Sequence, residues 1–388
     1  MKITTIKTSS LKPGMVLADD LKHPHTGIPL LSAGTQLSYK HLEALKLFNV
    51  DEKCMIYLQE EPETAESTEI ANEEIETASP LTNNSSHISL EKKIERHLPA
   101  EVSQQVKGVY RDTYKAVVNF FYQSKYLERR AELSEVRDAA EDIASIVVKD
   151  TQVLLQIAVL KLIDDYTFSH AVHTAIYAAA LANVLRFSKE EVREICLAGL
   201  LHDIGKVDIP DEILNKPAQL SEEEYKLIKE HVRYGFRRVS RFNNVSREVL
   251  LAIAQHHERI DGSGYLRGVK GEEIHSWAKI LSVADVYDAV TTDRVYRRAL
   301  LPDKGAEVLM GSTGQLDRNL VELFVRKISI YPPGCGVRLS TGEEGKVKTF
   351  HPDFPLRPVV QVKRLEGSQG REINLLEDLT VFITDVIS

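Results

Sequence analysis

The chain is 388 residues long, 43% hydrophobic and 27% charged, a soluble globular composition with room for two to three domains of about 100–200 residues. Its net charge of −8 argues against a general binder of nucleic-acid polymers, so any recognition of phosphate must rest on a local basic cluster. No uncharged apolar run reaches the roughly 20 residues that span a bilayer, the start MKITTIKTSSLKPG lacks a signal-peptide core, and Cys54, Cys196 and Cys335 are too scattered for a disulfide framework or zinc ribbon; the cytoplasm is the expected compartment.

Residues 1–58 read as a small mixed α/β domain, because Pro13-Gly14, Gly27 and Gly34 punctuate short apolar runs. Ser38 is a plausible N-cap for a short helix over Ser38–Phe48, where Leu42, Leu45 and Phe48 share a face. From 59 to 87 glutamates crowd together with Thr, Ser and Asn, the composition of a self-repelling disordered linker. Residues 88–149 form a helical connector, with apolar positions such as Val109, Val117, Phe120 and Phe121 at spacings of three and four. Helices are predicted to continue over Leu154–Leu162, from near Thr167, through Thr174–Leu185 and over Glu190–Leu201, inside a helical domain spanning 150–327. Beyond Tyr331-Pro332-Pro333-Gly334, short apolar runs at Val337–Leu339, Gly345–Lys348, Val359–Val362 and Leu379–Ile383 predict a small β-rich domain over 328–388. The expected fold class is therefore mainly α, a central all-helical bundle flanked by a mixed N-terminal domain and a β-rich C-terminal extension.

Chemistry concentrates in the helical domain, where seven of the thirteen histidines fall between His170 and His275. In LLHDIGKVDIP, His202 and Asp203 stand side by side at the end of an apolar segment, offering a neutral nitrogen and an anionic oxygen suited to a divalent metal that activates water. His170 in DDYTFSHAVHT, with His173 three positions on, His231 in KLIKEHV and the pair His256-His257 extend the set. Asp285 follows the apolar run ILSVA, and a buried carboxylate is costly unless it is paired or coordinates metal. Five imidazoles and two carboxylates suffice for two adjacent metals, which can activate a water in line with a phosphorus atom and neutralise the charge on its oxygens. Lys206 lies one turn past Asp203, and Arg294, Arg297 and Arg298 follow Asp285; the guanidinium fork matches phosphate geometry. Arg233, Arg237, Arg238 and Arg241 are expected mostly on exposed helix surface.

The order YTFSH, LHDIGKVDIP, KPAQLSEEEYKLIKEH, HHERIDGSGYL and ADVYDAVTTDRVYRRA resembles the bacterial HD-GYP domain, a subgroup of the HD phosphohydrolase superfamily, over roughly Leu160–Val325. Residues 1–58 look like the domain of unknown function that often precedes HD-GYP, and the tail from about Ile328 is similar to the group's C-terminal extension. The resemblance implies an HD-type helical bundle and a phosphodiesterase that opens cyclic di-GMP to pGpG or GMP by a metal-bridging hydroxide. It implies His170, His202, Asp203, His231, His256, His257 and Asp285 as metal ligands, with Asp203 bridging two divalent ions, iron or manganese. Tyr166 stands where members with a third metal carry glutamate, which favours a dinuclear centre. Asp203 and Lys206 carry the catalytic roles, Lys206 holding a phosphate or protonating the leaving oxygen, and Asp164, Lys206, Tyr265, Arg294 and Arg297 fall at substrate-contact positions.

The expected Gly-Tyr-Pro reads Gly264-Tyr265-Leu266, and Val295 stands where proline is usual; losing proline frees φ without removing a ligand. The choice of substrate is thereby opened to 3′,3′-cyclic GMP-AMP, and a non-hydrolysing cyclic dinucleotide sensor is a third alternative. His173 and His275 match no ligand position. Expected partners are the cyclic dinucleotide, a diguanylate cyclase or other signalling protein, and a second copy of the chain.

Overall fold

The computed structural model describes residues 3–22, 29–31, 33–37, 53–57, 103–126, 131–151, 166–214, 218–292, 299–328, 330–351, 353–362 and 371–387, with positions 42, 155, 158 and 216. The expected linker over 59–87, most of the short helix over 38–48 and most of that over 154–162 lie outside the described residues, as do Asp164, Arg294, Val295, Arg297 and Arg298. The chain divides into two compact units, Met1–Lys92 and Lys93–Ser388.

In the first unit, β1 (Ile3–Lys7), β5 (Lys53–Tyr57) and β2 (Val16–Leu17) form an antiparallel sheet in the order β1-β5-β2, and β3 (Leu21–Lys22) pairs with β4 (Pro29–Leu31). Leu11, Leu17, Leu37, Cys54 and Ile56 supply its apolar core.

The second unit begins with α1 (Gln104–Tyr126) and α2 (Ser134–Lys149), followed by α3 (Tyr166–Val184) and α4 (Lys189–Leu201). A single helix α3 thus carries both His170 and the apolar stretch beyond it. It is buried from Ser169 to Ala182, as expected of a helix that is apolar on all sides. Helix α4 starts at a capping box in which Ser188 Oγ accepts from the Glu191 amide and Glu191 accepts from the Ser188 amide, a device worth about 1 kcal/mol. The two helices cross at small residues: a Cβ on Gly199 would lie 2.6 Å from Ala175 Cα. That close approach brings the rings of His170, on α3, and His202, which follows α4, to 5.2 Å between centroids.

A 3₁₀ turn (Ile204–Asp208), α5 (Asp211–Leu214), α6 (Glu222–Lys229), α7 (His231–Val239), α8 (Arg247–Gln255), α9 (Ser276–Thr291), α10 (Pro302–Gly311) and α11 (Arg318–Lys327) complete the bundle. Arg238 departs from the expected exposed basic face. Its guanidinium grips Asp208 with both arms, at 2.5 and 2.6 Å, and donates to the Ser124 carbonyl of α1. His275 caps α9, its Nδ1 accepting from the Trp277 amide at 3.3 Å.

The C-terminal strands β6 (Gly336–Leu339), β7 (Glu344–His351), β8 (Phe354–Val362), β9 (Glu372–Asn374) and β10 (Ile383–Ile387) form an antiparallel sheet in the order β10-β6-β7-β8-β9. The run expected as a strand over Leu379–Ile383 is largely loop, and pairing begins at Ile383, opposite Leu339. Asp378 explains the shift: its Oδ1 accepts from both the amide and the hydroxyl of Thr380, a local turn that competes with extended pairing. Among the described residues no helix is long and apolar enough to cross a membrane.

Candidate metal centre

The candidate ligands converge because they sit at helix ends and on two buried helices. His202 and His256 directly follow α4 and α8, and His231 opens α7. Each turns Nδ1 back to the carbonyl three residues earlier, Gly199, Ile253 and Ile228 respectively, at 2.7 Å. An Nδ1–H donated to a carbonyl fixes the tautomer and leaves Nε2 as a lone-pair donor. Among the described residues the buried Nε2 atoms of His202, His231 and His256 and the Oδ1 of Asp203 find no hydrogen-bond partner. Such orphans are expensive in a closed protein and are what a metal ion would satisfy.

Asp203 stands between two groups of side chains. Its Oδ2 lies 3.3 Å from His202 Nε2 and 3.7 Å from His170 Nε2, and its Oδ1 lies 3.3 Å from His231 Nε2. Asp203, His231, His256 and His257 form one set whose ligand atoms lie within 4.8 Å of one another, and His170, His202 and Asp285 form a second. Asp285 reaches both, with Oδ1 at 3.1 Å from His170 Nε2 and Oδ2 at 3.7 Å from His257 Nδ1. Five imidazoles and two carboxylates in two adjoining sets fit a pair of divalent ions.

The electrostatics prepare the same function. Burial alone would raise the carboxyl of Asp203, yet Lys206 and the neighbouring His202 and His231 hold it well below the usual range. Asp285 is held down similarly, against burial, by His170 and His257. Burial, with His202 and His231 close by, lowers His256 to about 3, and burial with His256 lowers His257. Both rings are therefore neutral at physiological pH. His170 differs: burial disfavours its charge, but its hydrogen bonds to Asp285 and Asp288 outweigh that and raise it to about 9.

The metal-free protein therefore carries a proton on His170 that would have to leave if this ring took a cation. The folded pKa exceeds the unfolded value of about 6.5, so the charged ring stabilises the metal-free fold below that pH, and the contribution fades as pH rises through about 9. Metal affinity runs the opposite way, gaining up to about tenfold per pH unit between 7 and 9 and levelling above. Calorimetric titration in buffers of different protonation enthalpy checks this. About one more proton should be released per chain at pH 7 than at pH 10, and equal release at both would contradict it.

Lys206, on the 3₁₀ turn, places Nζ 2.5 Å from Asp203 Oδ2 at the rim. The Tyr265 ring lies 4.7 Å from the His257 ring at 31°, and the Lys229 ammonium lies 5.4 Å above it. Gly264 is required by close approach, since a Cβ there would meet Glu258 Cα and the His257 carbonyl oxygen, each at 2.5 Å. Asp288 was not singled out by sequence. Fully buried one turn after Asp285, it places Oδ2 2.7 Å from His170 Nδ1 and Oδ1 3.3 Å from His173 Nδ1. A second carboxylate at i+3 on an otherwise apolar helix was the available signal. His173 binds no candidate ligand set; its Nε2 lies 2.9 Å from the Tyr110 hydroxyl.

Comparison with known proteins gives these side chains a context. A family model described as "HD domain" matches residues 152–320, and one described as "KOW domain associated with HD domain" matches residues 336–388. The chain is 36% identical over 248 residues to a cyclic di-GMP phosphodiesterase of Pseudomonas aeruginosa, covering 64% of this chain and 60% of that protein. It is 41% identical over 161 residues to a cyclic di-GMP phosphodiesterase response regulator of Xanthomonas campestris pv. campestris, covering 41% of this chain and 43% of that one. With the 3′3′-cGAMP-specific phosphodiesterase 1 of Vibrio cholerae it shares 34% identity over 212 residues, 53% of this chain and 45% of that protein. The chain thus spans between 43% and 60% of the length of these relatives.

Proposed function

We propose that this chain, which matches an HD-domain family model over residues 152–320, is a metal-dependent cyclic dinucleotide phosphodiesterase that hydrolyses cyclic di-GMP to pGpG or GMP. The observation that carries the proposal is the convergence of orphaned, buried Nε2 atoms on Asp203, between two ligand sets. We assign His170, His202, Asp203, His231, His256, His257 and Asp285 to two divalent ions, iron or manganese, with Asp203 shared between them. Ions held there would supply Lewis acidity toward the phosphodiester and an activated water.

The protein's own side chains then have separable tasks. Asp203 and Asp285 stay anionic and His256 and His257 stay neutral, so the site meets a cation with its charges already arranged. Lys206 faces the centre from the rim, where its ammonium can neutralise a substrate phosphate or give a proton to the departing 3′-oxygen. Tyr265, whose ring lies beside that of His257, is proposed for substrate contact. Asp164, Arg294 and Arg297 are proposed for guanine and phosphate contacts. We further propose that residues 1–58 form a regulatory domain joined to the catalytic bundle of 150–327 through the acidic segment 59–87 and the connector 88–149, that residues 328–388 form a C-terminal domain, and that the protein works in the cytoplasm with a signalling partner or a second copy.

Leu266 in place of a proline, together with similarity to a 3′3′-cGAMP-specific enzyme, supports 3′,3′-cyclic GMP-AMP as the alternative substrate. Anaerobically purified protein, assayed for metal content and for turnover of both dinucleotides, tests the proposal. Hydrolysis of cyclic di-GMP with about two metal equivalents is expected; faster cleavage of the hybrid dinucleotide would favour the alternative, and stoichiometric binding without product would indicate a sensor. Lys206→Ala should lower kcat by about 10²-fold while metal content holds. An unchanged kcat would remove Lys206 from the chemistry.

A further inference from the structure

A buried chain of contacts leads away from the candidate centre into a helix outside the matched HD domain. Asp288 accepts from His170 Nδ1 through Oδ2 at 2.7 Å, and its Oδ1 lies 3.3 Å from His173 Nδ1, an electrostatic contact and not a hydrogen bond. His173 Nε2 lies 2.9 Å from the hydroxyl of Tyr110, and the two rings stack with centroids 5.9 Å apart at 17°. Tyr110 belongs to α1, which precedes residue 152, and Tyr110, His173 and Asp288 are at most 1% exposed. The polarity of the chain follows from donor and acceptor counting. His173 Nδ1 makes no hydrogen bond to the carboxylate among the described residues but faces it at ion-pair distance; a proton on Nδ1 suits that negative neighbour, which leaves Nε2 as the acceptor and Tyr110 as the donor. Burial and the nearby Asp288 raise the Tyr110 phenol, so it keeps the proton it needs. Helix α1 is held at its other end too, where Lys125 contacts both oxygens of Asp211 at 2.8 and 2.9 Å and the Ser124 carbonyl accepts from Arg238.

We propose that Tyr110 and His173 are positioning residues of the metal centre: the Tyr110 hydroxyl fixes the tautomer of His173, His173 and His170 together fix the Asp288 carboxylate, and Asp288 aims His170 Nε2 at the metal. The inference rests on the assignment of His170 as a metal ligand. Groups that hold a ligand's second nitrogen commonly tune metal affinity by 10–100-fold. This chain extends that hold by two further residues, so the connector helix α1 contributes to one of the two ion sites and not to the other.

Co²⁺ titration of the full chain after metal removal, read by d–d absorption, tests this. Asp288→Asn should weaken one of two Co²⁺ equivalents by about 10–100-fold, and Tyr110→Phe and His173→Phe should each weaken the same equivalent several-fold, leaving the other unchanged. In the His173→Phe background Tyr110→Phe should add nothing, because the two act in series. The metal-free melting temperature of Tyr110→Phe separates packing from positioning: a lowered melting point with unchanged Co²⁺ affinity and spectrum would overturn the inference. His170→Ala is the control. Loss of one equivalent in that variant with no effect of Tyr110→Phe would defeat the positioning role alone, whereas retention of both equivalents would defeat the ligand assignment itself. Should His173→Phe not fold, Tyr110→Phe decides by itself.

Discussion

Asp203→Asn is expected to reduce hydrolysis of the cyclic dinucleotide by at least about 10³-fold and to weaken both metal equivalents together. The reason is geometric. Oδ2 faces His202 and His170 while Oδ1 faces His231, so this one carboxylate addresses both ligand sets, and an amide offers one oxygen and no charge. The fold should tolerate the change. Asn is isosteric, but the charge it removes is one that Lys206, His202 and His231 hold ionised against burial, so the metal-free variant should melt a few degrees below the parent. Metal analysis, turnover and metal-free melting on the same preparation check all three outcomes. A His202→Ala, Asp203→Ala double variant that still cleaved cyclic di-GMP would sink the proposed function.

The candidate ligands were legible in the sequence because their spacing is local and their residue types are chemically restrictive. His202-Asp203 and His256-His257 are contiguous, and Asp285 betrays itself as a carboxylate in an apolar helix. Their convergence was not legible from residues alone, since it depends on where α4, α7, α8 and α9 meet; only the resemblance supplied it. The support beneath them was hidden for a different reason. His173 was set aside as matching no ligand position, yet its partners lie 63 residues earlier, at Tyr110, and 115 residues later, at Asp288; no periodicity links such positions. That Arg238 is the exception on a mostly exposed basic face was not legible, because helical spacing cannot register a partner thirty residues back on a 3₁₀ turn. In the C-terminal sheet, Leu379–Ile383 looked extended by composition, but the Asp378 turn holds its first residues out of the ladder.

Gly205→Ala should be the most destabilising single change near the centre. Two effects oppose each other. An added methyl reduces the freedom of the unfolded chain and by itself stabilises a protein by about 0.4–1 kcal/mol where the backbone permits it. At Gly205 the new Cβ would overlap the His231 carbonyl oxygen and crowd the Gly235 amide. Both are backbone atoms of α7 and cannot swing aside as a side-chain tip would. Overpacking of this kind commonly costs 1–3 kcal/mol, and a rigid obstacle puts the expected loss near the upper end, about 3 kcal/mol, or roughly 5 °C in Tm for the unit Lys93–Ser388. The clash also falls on the main chain of a candidate ligand and on the turn that carries Asp203 and Lys206. Metal binding should therefore fall together with stability. Gly108→Ala is the matched control: on α1 its Cβ would meet, among the described residues, only Arg111 Nη2, at 3.9 Å, and the helix should gain about 0.5–1 kcal/mol. Thermal melting of the two variants beside the parent gives shifts of opposite sign if the contact between the 3₁₀ turn and α7 is as close as described. A Gly205→Ala protein that melted with the parent and bound two metals would show that the turn and α7 can separate without loss, and would remove the close contact as the device that seats Asp203 opposite His231.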